Sequence, residues 1–389
     1  MSAIAPRRET TSRRHLLIVP DKFKGTLTAR AAAEAMARGW ARVHPADTLE
    51  LLPMSDGGDG FSLVLTDFLH AETRTFQTVD AAHRPRVASW GWDPTTRTAI
   101  IESAQSIGLA LVPTGQFHPF DLDTRGLGET IMEALRCGAR RLVIGLGGSA
   151  TNDAGFGLAR ALGGRFLDAA GQEITNWTQL NRLARWVPPN LRWDGEVVGA
   201  CDVSNPLLGA HGCSRIYGPQ KGLKAADLPT ADAALERLAI VIEKQMGHDL
   251  AGEPGSGAAG GLGFALRAFM GGRLESGFDI FAHLAHLPEK IARADLILTG
   301  EGGLDRQTLM GKGTGRIAAL AKAAGKPCHG LAGMVESVPD LTPAQQLFTA
   351  THAIVPNLAS LDDAKSHAAE WLEELSYRTA LTLPNGMKD

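Results

Sequence analysis

Short apolar runs that end in glycine-rich polar loops are the feature that most constrains the fold of this chain. His15–Pro20 reads HLLIVP and leads into DKFKGT, and Leu49–Met54 leads into SDGGDG. A helical pattern follows each loop, and Thr28 is suited to be the N-cap of the first helix. Strand, loop and helix in this order are typical of a parallel α/β sheet.

The same order returns near the end of the chain, where Leu296–Thr299 leads into GEGGLDRQTLMGKG and two further short strands follow. Residues 72–101 differ, because they form alternating runs of the kind found in antiparallel strands. Two strands before residue 71 and three after residue 285 make a satisfactory sheet only together. The sequence therefore predicts a disordered tail (1–14), a discontinuous α/β domain (15–70 plus 285–389) and an inserted mixed α/β domain (71–284).

Glycine makes up 45 of the 389 residues, or about 12% against a usual level of about 7%. About half of the glycines fall in four clusters, at 57–60, 145–164, 252–263 and 300–315. They follow no G-X-Y period and lie beside apolar runs, which excludes collagen and low-complexity disorder. The clusters therefore belong to the loops of a globular protein.

Charge and cysteine content narrow the class of partner. Lys plus Arg is 39 and Asp plus Glu is 42, so there is no basic surplus for nucleic-acid phosphates. The four cysteines lie far apart and form no C-x-x-C pair, which excludes a local zinc or redox motif. No apolar stretch is long enough to cross a bilayer. We expect a soluble, cytoplasmic protein that binds small molecules and neither nucleic acid nor membrane.

Charged residues follow the first two predicted strands. Asp21, Lys22 and Lys24 come directly after the first strand, where two lysines suit an anionic substrate, although a solvated turn explains them equally well. Asp56 and Asp59 stand among glycines after the second strand. Two aspartates there suit Mg²⁺ or substrate hydroxyls, and the alternative is a tight turn with an N-cap.

Two glycine loops precede helices, the position at which backbone amides can hold phosphate. The loop GLGGSATNDAG departs from the dinucleotide pattern G-x-G-x-x-G because position 150 is alanine. A general phosphate loop and a helix cap with packing glycines remain open. The second loop, GSGAAGGLG from Gly255, is either a ligand loop or a flexible connector.

Acidic residues close two further strands. Asp202 follows an apolar run and is a candidate base or metal ligand, with Asn205 as support and Lys221 downstream. Glu301 and Asp305 follow the strand Leu296–Thr299, and Lys312 precedes the next helix. Carboxylates with a lysine at a helix start suit phosphoryl transfer. The chain contains no G-x-x-x-x-G-K-[ST] string, so this is not a P-loop enzyme.

The motifs PDKFKGTLTA, PMSDGGDGF, GLGGSATNDAGFG, ACDVSNPLLG, YGPQKG, PGSGAAGGLGFAL and LTGEGGLDRQTLMGKG, in this order, resemble the type I glycerate kinase family. The resemblance covers about residues 15–380. One departure is the second motif, which more often reads A-D-G-G-E-G-T in that family. The resemblance implies two α/β domains, one of them flavodoxin-like, with the active site in the cleft between them. It also implies transfer of phosphate from ATP, with Mg²⁺, to D-glycerate, usually at the 2-hydroxyl.

That chemistry assigns a role to each candidate, with Asp202 as first choice for the base and Asp305 as second. Catalytic roles are predicted for Asp202, Asp305, Lys22 and Lys312, and substrate binding for Asp21, Lys24, Asp56, Asp59 and Asn205. ATP is predicted to bind Gly147, Gly148, Ser149, Thr151, Asn152, Lys221, Gly257, Gly260 and Gly261. The predicted metal ligands are Asp56, Glu301 and Asp305. A nucleotide-dependent oxidoreductase and a non-catalytic small-molecule sensor remain as alternatives.

Overall fold

The computed structural model describes residues 13–55, 60–191, 193–305, 308, 313–335 and 347–383. The chain divides into two compact units: Met1–Asp56 with Phe281–Asp389, the first unit, and Gly57–Ile280, the second unit. The predicted α/β class is confirmed, because the structure contains a parallel five-stranded sheet and a mixed six-stranded sheet. The predicted limits at 70/71 and 284/285 stay a prediction about which segments fold independently.

Strands of both sheets and of one separate hairpin are numbered here in chain order. They are β1 (His15–Pro20), β2 (Thr48–Leu51), β3 (Glu72–Val79), β4 (Pro85–Asp93), β5 (Thr98–Glu102), β6 (Arg141–Gly145), β7 (Arg165–Asp168), β8 (Leu183–Val187), β9 (Glu196–Ala200), β10 (Arg273–Glu275), β11 (Leu296–Leu304), β12 (Cys328–Val335) and β13 (Ala350–Val355).

The α-helices are numbered in the same way. They are α1 (Ala29–Ala41), α2 (Phe61–Phe68), α3 (Ser103–Ile107), α4 (Arg125–Arg136), α5 (Phe156–Ala161), α6 (Cys213–Ile216), α7 (Leu228–Met246), α8 (Ala258–Met270), α9 (Gly277–Leu284), α10 (Leu287–Arg293), α11 (Gly313–Ala323), α12 (Leu361–Ser366) and α13 (Ala368–Leu381). Among the described residues, no helix combines the length and the apolar character needed to cross a membrane.

The sheet of the first unit runs in the order β2-β1-β11-β12-β13, with every neighbouring pair parallel. Numbered within this sheet alone, the order is 2-1-3-4-5, as in flavodoxin. In such sheets ligands bind beyond the carboxyl ends of the strands, where the order reverses between the first and third strands. Here that reversal lies between β1 and β11, and Pro20 pairs with Gly300 there.

The glycine cluster after residue 299 is strand in its first part, whereas the sequence predicted a loop. β11 continues to Leu304 and stays paired with β12 over the glycines. A Cβ at Gly300 would lie 2.0 Å from the carbonyl oxygen of Leu331, so only glycine fits there. The glycines at this point therefore serve close strand packing, and the acidic residue Glu301 lies on the strand itself.

The core of the first unit explains where its order begins. Side chains of β1 and α1 are fully buried against each other, and Thr28 caps α1 by accepting a hydrogen bond from the amide of Ala31, as predicted. Arg14 corrects the predicted tail, because it is buried and its Nε lies 3.1 Å from Oδ2 of Asp47. An ion pair out of water fixes the chain one residue before β1, so the predicted tail 1–14 is too long.

The sheet of the second unit runs β10-β9-β6-β5-β4-β3. β5, β6, β9 and β10 are parallel, whereas β3, β4 and β5 are antiparallel as the alternating sequence predicted. Glu102, Gly145 and Ala200 are neighbours in the register, so the chain leaves β5, β6 and β9 at one edge. The sequence missed the hairpin β7–β8, whose Phe166 and Trp186 pack in an aromatic cluster beside α5.

Candidate active site

The lysine motif of the first unit lies at the reversal in strand order. The amide of Asp21 donates to the carbonyl of Gly300 at 2.8 Å, and its Oδ1 accepts from the amide of Lys22 at 2.7 Å. Lys22 is half-buried and Lys24 is exposed on the turn before α1. A Cβ at Gly302 would lie 3.3 Å from the amide nitrogen of Lys24, so the turn approaches β11 closely. The structure therefore brings the predicted cations beside β11.

Both predicted acids of β11 are held by one threonine. Thr308 donates its hydroxyl to Oε1 of Glu301 at 2.8 Å and its amide to Oδ1 of Asp305 at 3.2 Å. This arrangement fixes two carboxylates at the end of the strand next to β1. Among the described residues no group of three or more His, Cys, Asp or Glu is placed to hold a metal ion. Two carboxylates with phosphate oxygens are nonetheless a donor set that Mg²⁺ uses.

Three predicted residues of the site lie outside the described residues: Asp56, Asp59 and Lys312. Their roles stay predictions. The segment that follows Asp59 is described from Gly60 onward, where α2 begins.

The sequence missed Glu102, a buried acid at the end of β5. Its Oε1 accepts from the amide of Gly60 at 3.0 Å, and its Oε2 accepts from the amide and the hydroxyl of Ser62 at 3.2 and 2.8 Å. A carboxylate here satisfies unpaired amides at the start of α2 and complements the helix dipole. The signal that could have found it is a lone acid closing the apolar run TAII.

The loop after β6 directs its carbonyl groups into the protein. The hydroxyl of Ser103 donates to the carbonyl of Gly147 at 3.0 Å, and the amide of Leu109 donates to that of Gly148 at 2.8 Å. The carbonyl of Thr151 accepts from Nζ of Lys221 at 2.6 Å. In a trans peptide the carbonyl and the following N–H point in opposite directions. The amides that follow these three carbonyls therefore face the other way.

Amides of the same loop have no acceptor. Within the described part of the chain, no protein hydrogen bond involves the backbone N–H of Gly147, Gly148, Ser149, Thr151 or Asn152. The side-chain oxygens Oγ1 of Thr151 and Oδ1 of Asn152 are also buried without a partner. Buried N–H groups are almost always paired in proteins. A loop with several unpaired amides is the arrangement that binds anions such as phosphate.

Lys221 brings a buried positive charge to this loop. It is 7% exposed, and its Nζ donates to Oγ of Ser149 at 3.1 Å in addition to the carbonyl of Thr151. Burial lowers the pKa of Lys221 to about 8, opposed by the charges of Cys213 and Asp153. The structure thus unites Lys221 with Ser149 and Thr151, three residues predicted to bind ATP.

The second glycine loop packs against the first. The amide of Gly257 donates to the carbonyl of Asn205 at 2.9 Å. A Cβ at Gly260 would lie 1.9 Å from the carbonyl oxygen of Thr151, and one at Gly261 would lie 2.6 Å from Cα of Ala154. Both glycines have positive φ, at +74° and +93°. Backbone packing alone therefore requires glycine here, and the predicted contact with ATP stays a prediction.

Asp202 and Asn205 leave β9 at the same edge but differ in their freedom. Asp202 is exposed, and its Oδ1 accepts from the amide of Gly277 at 3.2 Å. The amide group of Asn205 donates to the carbonyl of His211 at 2.9 Å and accepts from the hydroxyl of Tyr217 at 2.6 Å. Asn205 therefore braces its own loop, whereas Asp202 presents a carboxylate at the surface.

Comparison with known proteins now decides the family. The model of the glycerate kinase family matches residues 16–383. The chain belongs to the glycerate kinase family. A Bacillus subtilis (strain 168) protein named glycerate kinase is 38% identical, over 95% of this chain and 97% of its own. An Escherichia coli (strain K12) protein named glycerate 2-kinase is 37% identical, over 96% and 99%.

A solved structure agrees in fold as well as in sequence. A crystal structure from Salmonella typhimurium LT2, described as a candidate glycerate kinase 2, superposes with a TM-score of 0.84 at 34% identity. The match covers 95% of this chain and 98% of that one. The predicted family is confirmed, and the activity is that of a phosphotransferase acting on glycerate. This glycerate kinase activity replaces the oxidoreductase and sensor alternatives.

Proposed function

We propose that this glycerate kinase transfers the γ-phosphoryl group of MgATP to the 2-hydroxyl of D-glycerate, giving 2-phosphoglycerate and ADP. The 2-position rests on the resemblance to the type I family and on the relative named glycerate 2-kinase. The nucleotide donor rests on one observation, the row of unpaired amides in the loop Gly147–Asn152 beside a buried ammonium. Amides and ammonium together are a phosphate-binding arrangement built without a P-loop.

Mg²⁺ is proposed to bind Glu301 and Asp305, with Asp56 as the third predicted ligand. The fit is supported by the oxygen donors that Thr308 holds at the end of β11. Mg²⁺ commonly takes one or two protein carboxylates and completes its shell with water and phosphate oxygens. When bound, the ion would neutralise negative charge on the phosphates.

The acceptor side of the reaction is proposed to use the exposed charged groups. Lys22 and Lys24, beside Asp21, suit the carboxylate of glycerate or a phosphate, and Lys312 would stabilise the transferred group. Asp202 would accept the proton of the attacking hydroxyl, because it is an exposed carboxylate at a strand end. Asn205 is proposed to contribute through the loop that carries Asp202, since its own amide group is already engaged.

The site is proposed to lie in the cleft between a flavodoxin-like domain and the inserted domain, as the resemblance implies. A cytoplasmic location is also proposed, because free thiols at Cys137, Cys201, Cys213 and Cys328 suit a reducing compartment.

The experiment that tests this proposal is a ³¹P NMR assay of the purified protein with MgATP and D-glycerate. We expect loss of ATP, formation of ADP and a new resonance at the position of authentic 2-phosphoglycerate. A resonance at the position of 3-phosphoglycerate would overturn the proposed regiochemistry alone. No turnover of MgATP with D-glycerate would overturn the donor or the acceptor, and exchange of each in turn would show which.

A further inference from the structure

We propose that Lys221 and Asp153 are positioning residues that hold the loop Gly147–Asn152 in its amide-donating form from two sides. Nucleotide affinity would depend on both, although neither is the group that contacts the nucleotide. This inference rests on the proposed function, because it takes the loop to be the phosphate site.

Lys221 acts on the loop from a distant segment. It ends the 3₁₀ turn Pro219–Lys221, and its Nζ reaches Oγ of Ser149 and the carbonyl of Thr151. Ser149 in turn donates its hydroxyl to the carbonyl of Ala259 at 3.0 Å. One ammonium thus ties together the first glycine loop, the second glycine loop and its own turn. Because it holds the carbonyl of Thr151, it also fixes the opposite direction of the Asn152 amide.

Lys221 is an unusual choice for a merely structural link. Among the described residues its ammonium donates only to neutral oxygens, and it is almost wholly buried. Burial of a charge without a bonded counter-charge is costly, and an apolar side chain would avoid that cost. The pKa of about 8 shows that the charged state is only marginally held at neutral pH. Retention of the charge therefore points to a role in the site.

Asp153 fastens the other end of the loop to two helix starts. Its Oδ2 accepts from the amide and hydroxyl of Thr124 at 2.9 and 2.8 Å and from the amide of Gly157 at 3.0 Å. Its Oδ1 accepts from the amide of Gly155 at 3.3 Å. These groups precede or open α4 and α5. Only an ionised carboxylate can accept all four bonds, so protonation would release part of this fastening.

The charged groups around the pair set the direction of its response to pH. Burial, and then the charge of Asp123, raise the pKa of Asp153 to about 6. Asp123 in turn contacts Nε2 of His83 at 2.8 Å and the amide of Arg125. Lys221 loses its charge above about pH 8. Nucleotide affinity should therefore be greatest between these two values and fall on either side.

The test is calorimetric titration of MgADP into the full chain from pH 5 to pH 9.5, with parallel KM measurements for ATP and glycerate. Lys221→Met keeps length and removes charge, and Lys224→Met is the matched exposed control. Asp153→Asn is paired with Asp93→Asn, which alters an exposed turn. We expect Lys221→Met to weaken MgADP about tenfold at pH 7, to raise KM for ATP similarly and to leave KM for glycerate nearly unchanged.

The pH profile separates positioning from a purely structural effect. We expect Lys221→Met to lose the decline in affinity above pH 8 and Asp153→Asn to lose the decline below pH 6, while both controls follow the unaltered protein. Equal affinity of Lys221→Met and the unaltered protein, or an alkaline decline that persists in Lys221→Met, would overturn the inference. If a variant fails to fold, a flat profile in the unaltered protein does so instead. If the unaltered protein binds no MgADP at all, the proposed function fails first.

Discussion

In the first unit the candidate groups are charged side chains at the ends of β1 and β11, whereas in the second unit they include backbone amides of a buried loop. Lys24 is exposed and Lys22 is half-buried. By contrast, Thr151, Asn152 and Asp153 have no exposed surface. The difference teaches that the two units carry different kinds of function. Side chains at a sheet edge suit a small polar acceptor, and a rigid loop of amides suits phosphate.

The largest expected effect asks which unit supplies the base. We expect Asp202→Asn to lower kcat about 100-fold or more, because general-base catalysis is worth roughly that much. Stability should change little, since the Asp202 carboxylate is exposed. Steady-state kinetics with MgATP and D-glycerate provide the measurement. Asp305→Asn is the paired variant, in which we expect weaker binding of Mg²⁺ as the main effect.

The two variants break the comparison if they exchange roles. A near-normal kcat in Asp202→Asn with a large loss in Asp305→Asn would place the base on β11, in the unit that we assign to substrate and metal. Mg²⁺ dependence of each variant distinguishes a lost base from a lost metal ligand, because only the latter is rescued by excess Mg²⁺.

The next effect tests whether the second glycine loop is packed for rigidity. We expect Gly260→Ala to destabilise the protein by roughly 3 kcal/mol or more, because its Cβ would overlap the carbonyl oxygen of Thr151. Gly271→Ala is the matched control: φ there is also positive, at +62°, but the space around it is open. It should cost only about 1 kcal/mol. Denaturant unfolding of both variants provides the measurement, and equal losses would show that φ, not loop packing, sets the cost.

Strand order and sheet type were predictable because they depend on local patterns. Short apolar runs followed by polar loops gave the parallel sheet, and alternating runs gave the antiparallel strands β3 to β5. The continuation of β11 through Gly300 was not predictable in this way. Glycine normally weakens a strand, and only the approach of Leu331 shows why it is needed.

Site residues were predictable where their side chains advertise their chemistry, as with Lys22 and Asp202. Glu102 and Asp153 escaped the list of site residues because their partners are 40 and 29 residues away in sequence. The packing role of Gly260 was equally hidden, since a glycine that touches phosphate and one that touches backbone look alike in sequence. Long-range contacts of buried polar groups are what the sequence pattern does not contain.

The smallest effect on activity is expected from a buried titratable pair in the first unit. Nε2 of His352 lies 3.4 Å from Nδ1 of His329, and the two rings stack. Burial, and then the charge of His352, lower the pKa of His329 from 6.5 to about 4. Because the unfolded chain binds this proton more tightly, the free energy of unfolding should fall as pH drops from 6.5 to 4. We expect a loss of about 2 kcal/mol over that range.

His329→Gln should remove most of that acid loss and leave KM for ATP unchanged at pH 7, because His329 lies near the start of β12, away from the carboxyl edge of its sheet. Melting temperatures between pH 4 and pH 7 provide the measurement, with the exposed His367→Gln as control. The contrast with Lys221 is the informative part. Both groups are buried and resist their charged form, but only Lys221 holds a loop with unpaired amides. A change in nucleotide affinity in His329→Gln as large as in Lys221→Met would show that burial of a titratable group, and not its contact with the loop, governs affinity.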